Sequence, residues 1–286
     1  MATATYTVNC SILFTDLPVL DRPAAARAAG FEAVEFWWPF IEATPPEADV
    51  RSFVRAIQEA GVQLSGLNFF AGYMAGGDRG ILSDPALTTE FRDNVQVAIG
   101  IAESLGTRSF NALYGNRIEG IPTAVQDDVA AKNLAYAAQA AQRIGATVLI
   151  EPVSGAPRYP LKTAADAVRI IDRVHAEAGI TNLRLLADLY HLYVNNDDVV
   201  AALLSHYDLI GHIQIADAPG RGEPGTGEIP LGEYCAMMLG GAYSGYIGLE
   251  YKPSRPNTFD WIPQAERGRG GVNVESLGTL TGTRNQ

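Results

Sequence analysis

Residues 147–190 read TVLIEPVSGAPRYPLKTAADAVRIIDRVHAEAGITNLRLLADLY. A short apolar run (147–153) gives way to a stretch of helical period that closes at Gly179, and a second apolar run (183–190) begins within a few residues. That order is a βαβ unit, in which the helix carries the chain back so that the two strands lie parallel. Worked outward, the unit recurs along the chain. Strands are predicted over 6–14, 33–38, 62–69, 109–114, 147–153, 183–190, 210–216 and 246–251, each of ordinary strand length. Between the third and fourth, residues 87–106 place Phe91, Val95, Ala98, Ala102 and Leu105 on one helical face, with Asp93, Gln96 and Glu103 elsewhere. Gly30, Gly61, Gly106, Gly145 and Gly179 each close a helical stretch shortly before the next strand, as a short αβ loop requires.

Eight βα units in about 250 residues predict a single (β/α)8 TIM barrel, an α/β fold spanning 1–262. An open doubly wound sheet is the competing arrangement. Against it, no glycine-rich dinucleotide fingerprint follows 6–14, and no P-loop occurs. Beyond Pro253 the chain turns polar, with Trp261 the one side chain there expected to be anchored, and 263–286, with Arg267-Gly-Arg-Gly-Gly271, is predicted to be a loosely ordered tail.

Composition narrows the function. The 286 residues are 47% hydrophobic and 19% charged, enough for a large core. A formal net charge of -11 speaks against nucleic acid as a partner and favours a small molecule. Residues 1–10 hold neither a basic n-region nor an apolar h-region, and no stretch approaches the ~20 apolar residues of a membrane span, so the expected location is cytoplasmic, away from membranes. Cys10 and Cys235 form no metal or redox spacing and read as buried thiols.

A TIM barrel works at the C-terminal ends of its strands, so the informative residues are polar ones that end apolar runs. Glu151, Asp188, Gln214 and Glu250 do this at intervals of 37, 26 and 36 residues, about one βα unit each. Strands five to eight then deliver one oxygen apiece to the same mouth, a hard donor set suited to a divalent cation, Mg2+ or Mn2+, better than to zinc. Any one of these residues alone could equally cap the following helix. His191, three residues past Asp188, sits where a substrate hydroxyl would reach it, with a packed loop histidine as the rival reading. His212 shares the face of Gln214 one pleat deeper and reads as a core histidine behind it. His175 and His206 fall on the outer helices and receive no function. Arg221, in the Gly/Pro-rich loop after strand seven, is the candidate clamp for a substrate carboxylate through two parallel hydrogen bonds, against the alternative of a surface pair with Glu223. Trp37, Trp38 and Phe40 follow strand two at the catalytic face, where they line a pocket in preference to a homo-oligomer contact.

Several motifs together carry a resemblance: the Glu-Phe pair at 35–36, Asn68 with Ala71-Gly72, Gly77-Asp78-Arg79-Gly80, Ile150-Glu151-Pro152, Asp188-Leu-Tyr-His191, Gly211-His-Ile-Gln214-Ile-Ala-Asp217, Arg221-Gly-Glu223-Pro-Gly-Thr-Gly-Glu228 and Glu250-Tyr-Lys-Pro253. Over residues 6–262 the chain resembles the hydroxypyruvate isomerase family of xylose-isomerase-like barrels. The resemblance implies Glu151 and Glu250 as the paired catalytic carboxylates, metal ligation by Glu151, Asp188, Gln214 and Glu250, and Asn68 and Glu223 at the substrate. It implies a keto sugar acid as the small-molecule partner and glyoxylate or carbohydrate metabolism as the setting. The same carboxylates and metal would serve a 2-oxo-tetronate isomerase or a ketose C3 epimerase, and a non-catalytic sugar-acid binding protein is a further alternative. An abasic-site endonuclease on this barrel would need more histidines and a basic face. The chain departs from the family at Tyr73, where many relatives carry an acidic residue, and at Phe69-Phe70, where they often have Leu-Pro.

Overall fold

A computed structural model describes residues 4–241 and 243–273. Eight strands close into a barrel in sequence order, β1 (Thr5–Asn9), β2 (Ala33–Phe36), β3 (Gln63–Asn68), β4 (Ser109–Asn111), β5 (Thr147–Ile150), β6 (Leu183–Asp188), β7 (Ile210–Ile215) and β8 (Tyr246–Leu249). Every neighbouring pair is parallel, and β1 completes the ring on β8 with Val8 opposite Leu249. The outer layer is α1 (Arg22–Ala28), α2 (Glu47–Ala60), α3 (Thr88–Leu105), α4 (Thr123–Gln142), α5 (Ala164–Ala178), α6 (Leu189–Val194), α7 (Val199–Ser205) and α8 (Leu231–Gly240). No helix among the described residues is long and apolar enough to cross a membrane.

Local chemistry sets the element ends. Helix α3 stops at Gly106, whose φ of 72° is costly for a residue with a Cβ. Helix α5 starts with a capping box: the Thr163 hydroxyl accepts from the Asp166 amide at 3.1 Å, and the Asp166 carboxylate accepts from the Thr163 amide at 2.9 Å. The alanines Ala130, Ala131, Ala137, Ala138, Ala140 and Ala141 are buried along α4, where small side chains cost no rotamer freedom.

The strands are shorter than the apolar runs predicted for them, because the runs continue into buried loops. The first ends at Asn9 instead of residue 14: the Asn9 carbonyl accepts from the Ile12 and Leu13 amides and its side chain from the Ser11 amide, turning the chain inward, so Leu13 is core without being strand. The fourth stops at Asn111, and Ala112, Leu113 and Tyr114 are buried past its end. Residues 263–273 also differ from a loose tail. The Arg267 guanidinium donates to the carbonyls of Ala29, Phe259 and Ile262 and lies over the Phe31 and Phe259 rings, because five donors on one planar group can tie several chain segments at once. Trp261 is anchored as expected, its indole donating to the Tyr251 hydroxyl at 3.2 Å. The last thirteen residues of the predicted tail lie outside the described residues.

Candidate active site

The C-terminal mouth gathers Glu151 from the end of β5, Asp188 from β6, Gln214 from β7 and Glu250 from the end of β8, all nearly buried. Asp188 fulfils both of its sequence readings with different oxygens. Its Oδ1 caps α6 by accepting from the Tyr190 and His191 amides at 2.9 and 3.1 Å, and its Oδ2 faces His191 Nε2 at 3.6 Å and Arg221 Nη2 at 3.2 Å. Capping therefore fixes the rotamer of a residue that also belongs to the site.

Glu151 and Glu250 are built alike. Asn111 donates to Glu151 Oε2 at 2.7 Å, and Asn9 donates to Glu250 Oε2 at 2.9 Å. The second oxygen of each turns to the shared cluster: Glu151 Oε1 lies 3.8 Å from His191 Nε2, and Glu250 Oε1 accepts from Arg221 Nη2 at 2.5 Å. Burial, then the charges of Glu250 and Asp188, push the Glu151 carboxyl well above the ordinary carboxylate value. Burial also raises Glu250, opposed by Arg221 and by a hydrogen bond from the Trp37 side chain, and reinforced by Asp188 and Glu35. Trp37 therefore stands beside Glu250, whereas Trp38 donates to the Glu42 carbonyl and packs on Phe40, which packs in turn on Phe53.

His191 is fixed in one tautomer. Ser154 donates its backbone N–H to Nδ1 at 3.1 Å, and a backbone amide cannot accept, so the neutral ring carries its proton on Nε2. The Ser154 hydroxyl lies 2.7 Å from the same nitrogen. Burial lowers the imidazole to about 4, with Arg221 adding to the effect and Asp188 opposing it. Although Glu151, Asp188 and His191 bring one potential ligand atom each within 4.8 Å of one another, this tautomer makes His191 a hydrogen-bond donor into the site.

The donor set fits a cation on a structural ground as well. Gln214 donates its amide nitrogen to Glu35 Oε1 at 2.7 Å, and its Oε1 is buried with no hydrogen-bond partner. A buried amide oxygen left unpaired is costly, and a cation shared with the neighbouring carboxylates would satisfy it.

Two residues of the loop between β7 and α8 differ from their sequence readings. Arg221 reaches the site through a backbone in the left-handed region, φ 61°, in a loop gathered by Asp217, whose carboxylate accepts from the amides of Ala218, Gly225, Gly227 and Ile229. Its guanidinium is already engaged: Nε donates to the Glu250 carbonyl at 3.0 Å, and Nη2 is shared between Asp188 and Glu250. Two parallel bonds to a substrate carboxylate are therefore not on offer. Nη1, which makes no hydrogen bond among the described residues, is the donor left. Glu223 is fully buried away from the cluster, accepting from the Ser254 amide and hydroxyl and the Thr258 hydroxyl at 2.6–2.9 Å. With those oxygens spent, it braces the Arg221 loop to the segment after β8 and has nothing to offer a substrate.

Asn68 ends β3 directly beside Asn111 in register, nearly buried, with no side-chain hydrogen bond among the described residues. His212 donates from the barrel interior to Glu35 Oε2 at 2.8 Å, and His175 and His206 lie on the outer layer as expected. No local pattern in the sequence gives Asn9 or Asn111 a role, and Glu35 stands out there only as part of a motif. Their signal was available in principle, since Asn9 and Asn111 end β1 and β4 as Asp188 ends β6 and as Glu151 and Glu250 directly follow β5 and β8.

A parallel eightfold barrel with acids, amides and an arginine gathered at the C-terminal mouth has the architecture of barrel enzymes, which place their chemistry at that face. A family model described as "Xylose isomerase-like TIM barrel" matches residues 23–269, and the chain belongs to that family. It is 49% identical over 92% of its length to a Streptomyces coelicolor protein named "Putative hydroxypyruvate isomerase", covering 96% of that protein. It is 34% identical over 87% of its length to a 2-oxo-tetronate isomerase of Cupriavidus necator, covering 92% of it. Among solved structures, an AP endonuclease, family 2, from Brucella melitensis superposes with a TM-score of 0.80 at 28% identity, over 90% of this chain and 97% of that one. The chain is an isomerase of the hydroxypyruvate isomerase-like kind.

Proposed function

We propose that this isomerase interconverts hydroxypyruvate and 2-hydroxy-3-oxopropanoate (tartronate semialdehyde) by moving a proton between neighbouring carbons with Glu151 and Glu250. One observation carries the reading: two buried glutamates, each held by an asparagine through one oxygen, turn the other toward the same Asp188, His191 and Arg221 cluster. Proton shuttling needs one carboxylate ionised and one protonated near neutral pH. Burial raises both glutamates, helped at Glu151 by the charges of Glu250 and Asp188 and at Glu250 by those of Asp188 and Glu35, so each holds a proton more readily than an ordinary carboxylate does.

One glutamate takes a proton from C3 of hydroxypyruvate, and the C–H electron pair becomes the C2–C3 double bond of an enediolate. The other returns a proton to C2, the hydroxyl proton passes from O3 to O2, and the aldehyde forms at C3. Glu151, Asp188, Gln214 and Glu250 would hold a divalent cation, Mg2+ or Mn2+, which when bound supplies the positive charge that acidifies the C–H and stabilises the enediolate. His191 donates from Nε2 to a substrate oxygen, Arg221 Nη1 holds the carboxylate, Asn68 offers its free amide, and Trp37 helps to wall the pocket. A nucleic-acid substrate is disfavoured by the net charge of -11.

Glu151→Gln and Glu250→Gln should each lower kcat by roughly 10²–10⁴-fold with an unchanged circular dichroism spectrum. Wild-type turnover by both variants would end this assignment. The identity to the Cupriavidus necator enzyme favours 2-oxo-tetronate as the second substrate reading, and product analysis on both acids separates the two.

A further inference from the structure

Inside the barrel, one acidic side chain is hydrogen-bonded to His212, Gln214 and Asn9. Glu35, on β2, is 4% exposed inside the barrel. Its Oε2 is bonded to His212 Nε2 at 2.8 Å, and its Oε1 accepts from Gln214 Nε2 at 2.7 Å and from Asn9 Nδ2 at 3.3 Å. Asn9 in turn holds Glu250 Oε2 at 2.9 Å with the same nitrogen. The space for this is made by Gly248, which stands opposite Gln214 on β8: a Cβ there would lie 2.7 Å from Glu35 Oε1 and 2.8 Å from Gln214 Cγ.

A glutamine amide has a donor end and an acceptor end of nearly equal size, so packing cannot choose between its two orientations. A carboxylate only accepts. With Glu35 against one end of the amide, the NH2 must face Glu35 and the oxygen must face away, which is where Gln214 Oε1 lies buried and unpaired. The reversed amide would set oxygen against carboxylate and turn two N–H donors toward a group of acids and a cation.

We infer that Glu35, held by His212, is a positioning residue that fixes the amide of Gln214 with its oxygen presented as a cation ligand. The inference rests on the cation assignment made under the proposed function and goes beyond it by naming what selects the ligand atom. Outer partners that orient a ligand typically change metal affinity by roughly 10–100-fold when removed.

The test is Mn2+ affinity, measured from the electron paramagnetic resonance signal of free Mn2+, for the wild type, Glu35→Gln, Gln214→Glu and the double variant. Glu35→Gln lets the amide reverse and should weaken Mn2+ binding by roughly 10–100-fold. The double variant exchanges donor and acceptor across the same hydrogen bond, keeps the net charge, and presents an oxygen whichever way the new carboxylate turns. It should bind Mn2+ more tightly than either single variant. Wild-type affinity in Glu35→Gln overturns the inference, as does a double variant no better than Glu35→Gln at equal thermal stability. If Glu35→Gln does not fold, the comparison of Gln214→Glu with the double variant decides: tighter binding by the double supports the inference, and equal or weaker binding overturns it. A folded wild type that takes up no Mn2+ overturns the cation assignment itself, and the inference with it.

Discussion

Asn111 donates to Glu151 Oε2 at 2.7 Å from the strand next to it, and so leaves Glu151 Oε1 as the oxygen that meets the cluster. Asn111 also lowers the Glu151 carboxyl against the upward push of burial and of Glu250. Removing this donor therefore raises Glu151 further and leaves less of it ionised at a given pH. Asn111→Ala should lower kcat by roughly 10–100-fold, the equivalent of about 1.5–3 kcal/mol for a lost hydrogen bond to a charged group. The acid limb of the kcat profile should move to higher pH. A profile unmoved from that of the wild type would separate Asn111 from Glu151.

His191 should be neutral with its proton on Nε2. Its folded-state value is lowered to about 4, so the charged form appears only as the pH falls toward that value and is negligible at pH 7. Nitrogen NMR of histidine-labelled protein at pH 7 should show one neutral ring with a protonated Nε2 and an acceptor Nδ1. A charged ring, or a proton on Nδ1, would contradict the role of Ser154.

Glu223 sets a stability prediction. Burial alone would raise its carboxyl, but the donors of Ser254 and Thr258 outweigh burial and hold it below the ordinary value. A depressed folded-state pKa contributes stability that is present above the unfolded value of about 4.3 and is lost as the pH falls through the folded value. Glu223→Gln should lower Tm at pH 7, and the difference from the wild type should shrink on acidification below about pH 4.3. A Tm deficit that stays constant with pH would show that the brace does not depend on the charge.

Much of the fold was readable because punctuation and periodicity agreed: apolar runs of strand length, helices of helical period and glycines at their ends all repeat with the βα unit. The strand ends were overextended where loop residues such as Leu13 and Leu113 are apolar for their own burial, a signal that hydropathy alone cannot tell from strand. Within the site, the acids of β5, β6 and β8 and Gln214 of β7 were legible because each interrupts an apolar run. Asn9 and Asn111 were not, because asparagine after an apolar run looks like a turn residue, and Asn9 does make that turn as well. The role of Glu35 depends on contacts across about 180 residues of sequence, with His212 and Gln214, which no local pattern records. Arg221 and Glu223 share one loop, and only their backbone geometry sends one into the cluster and the other under it.

The proposed activity rests on proton transfer between C3 and C2 of a keto acid by Glu151 and Glu250 with a divalent cation. Proton NMR of hydroxypyruvate with the Mg2+- or Mn2+-loaded enzyme in D2O, with and without EDTA, tests it most directly. The product should be 2-hydroxy-3-oxopropanoate with solvent deuterium at carbon, and both should be lost on chelation. Folded, metal-loaded protein that leaves hydroxypyruvate unchanged and exchanges no carbon-bound proton would contradict that activity.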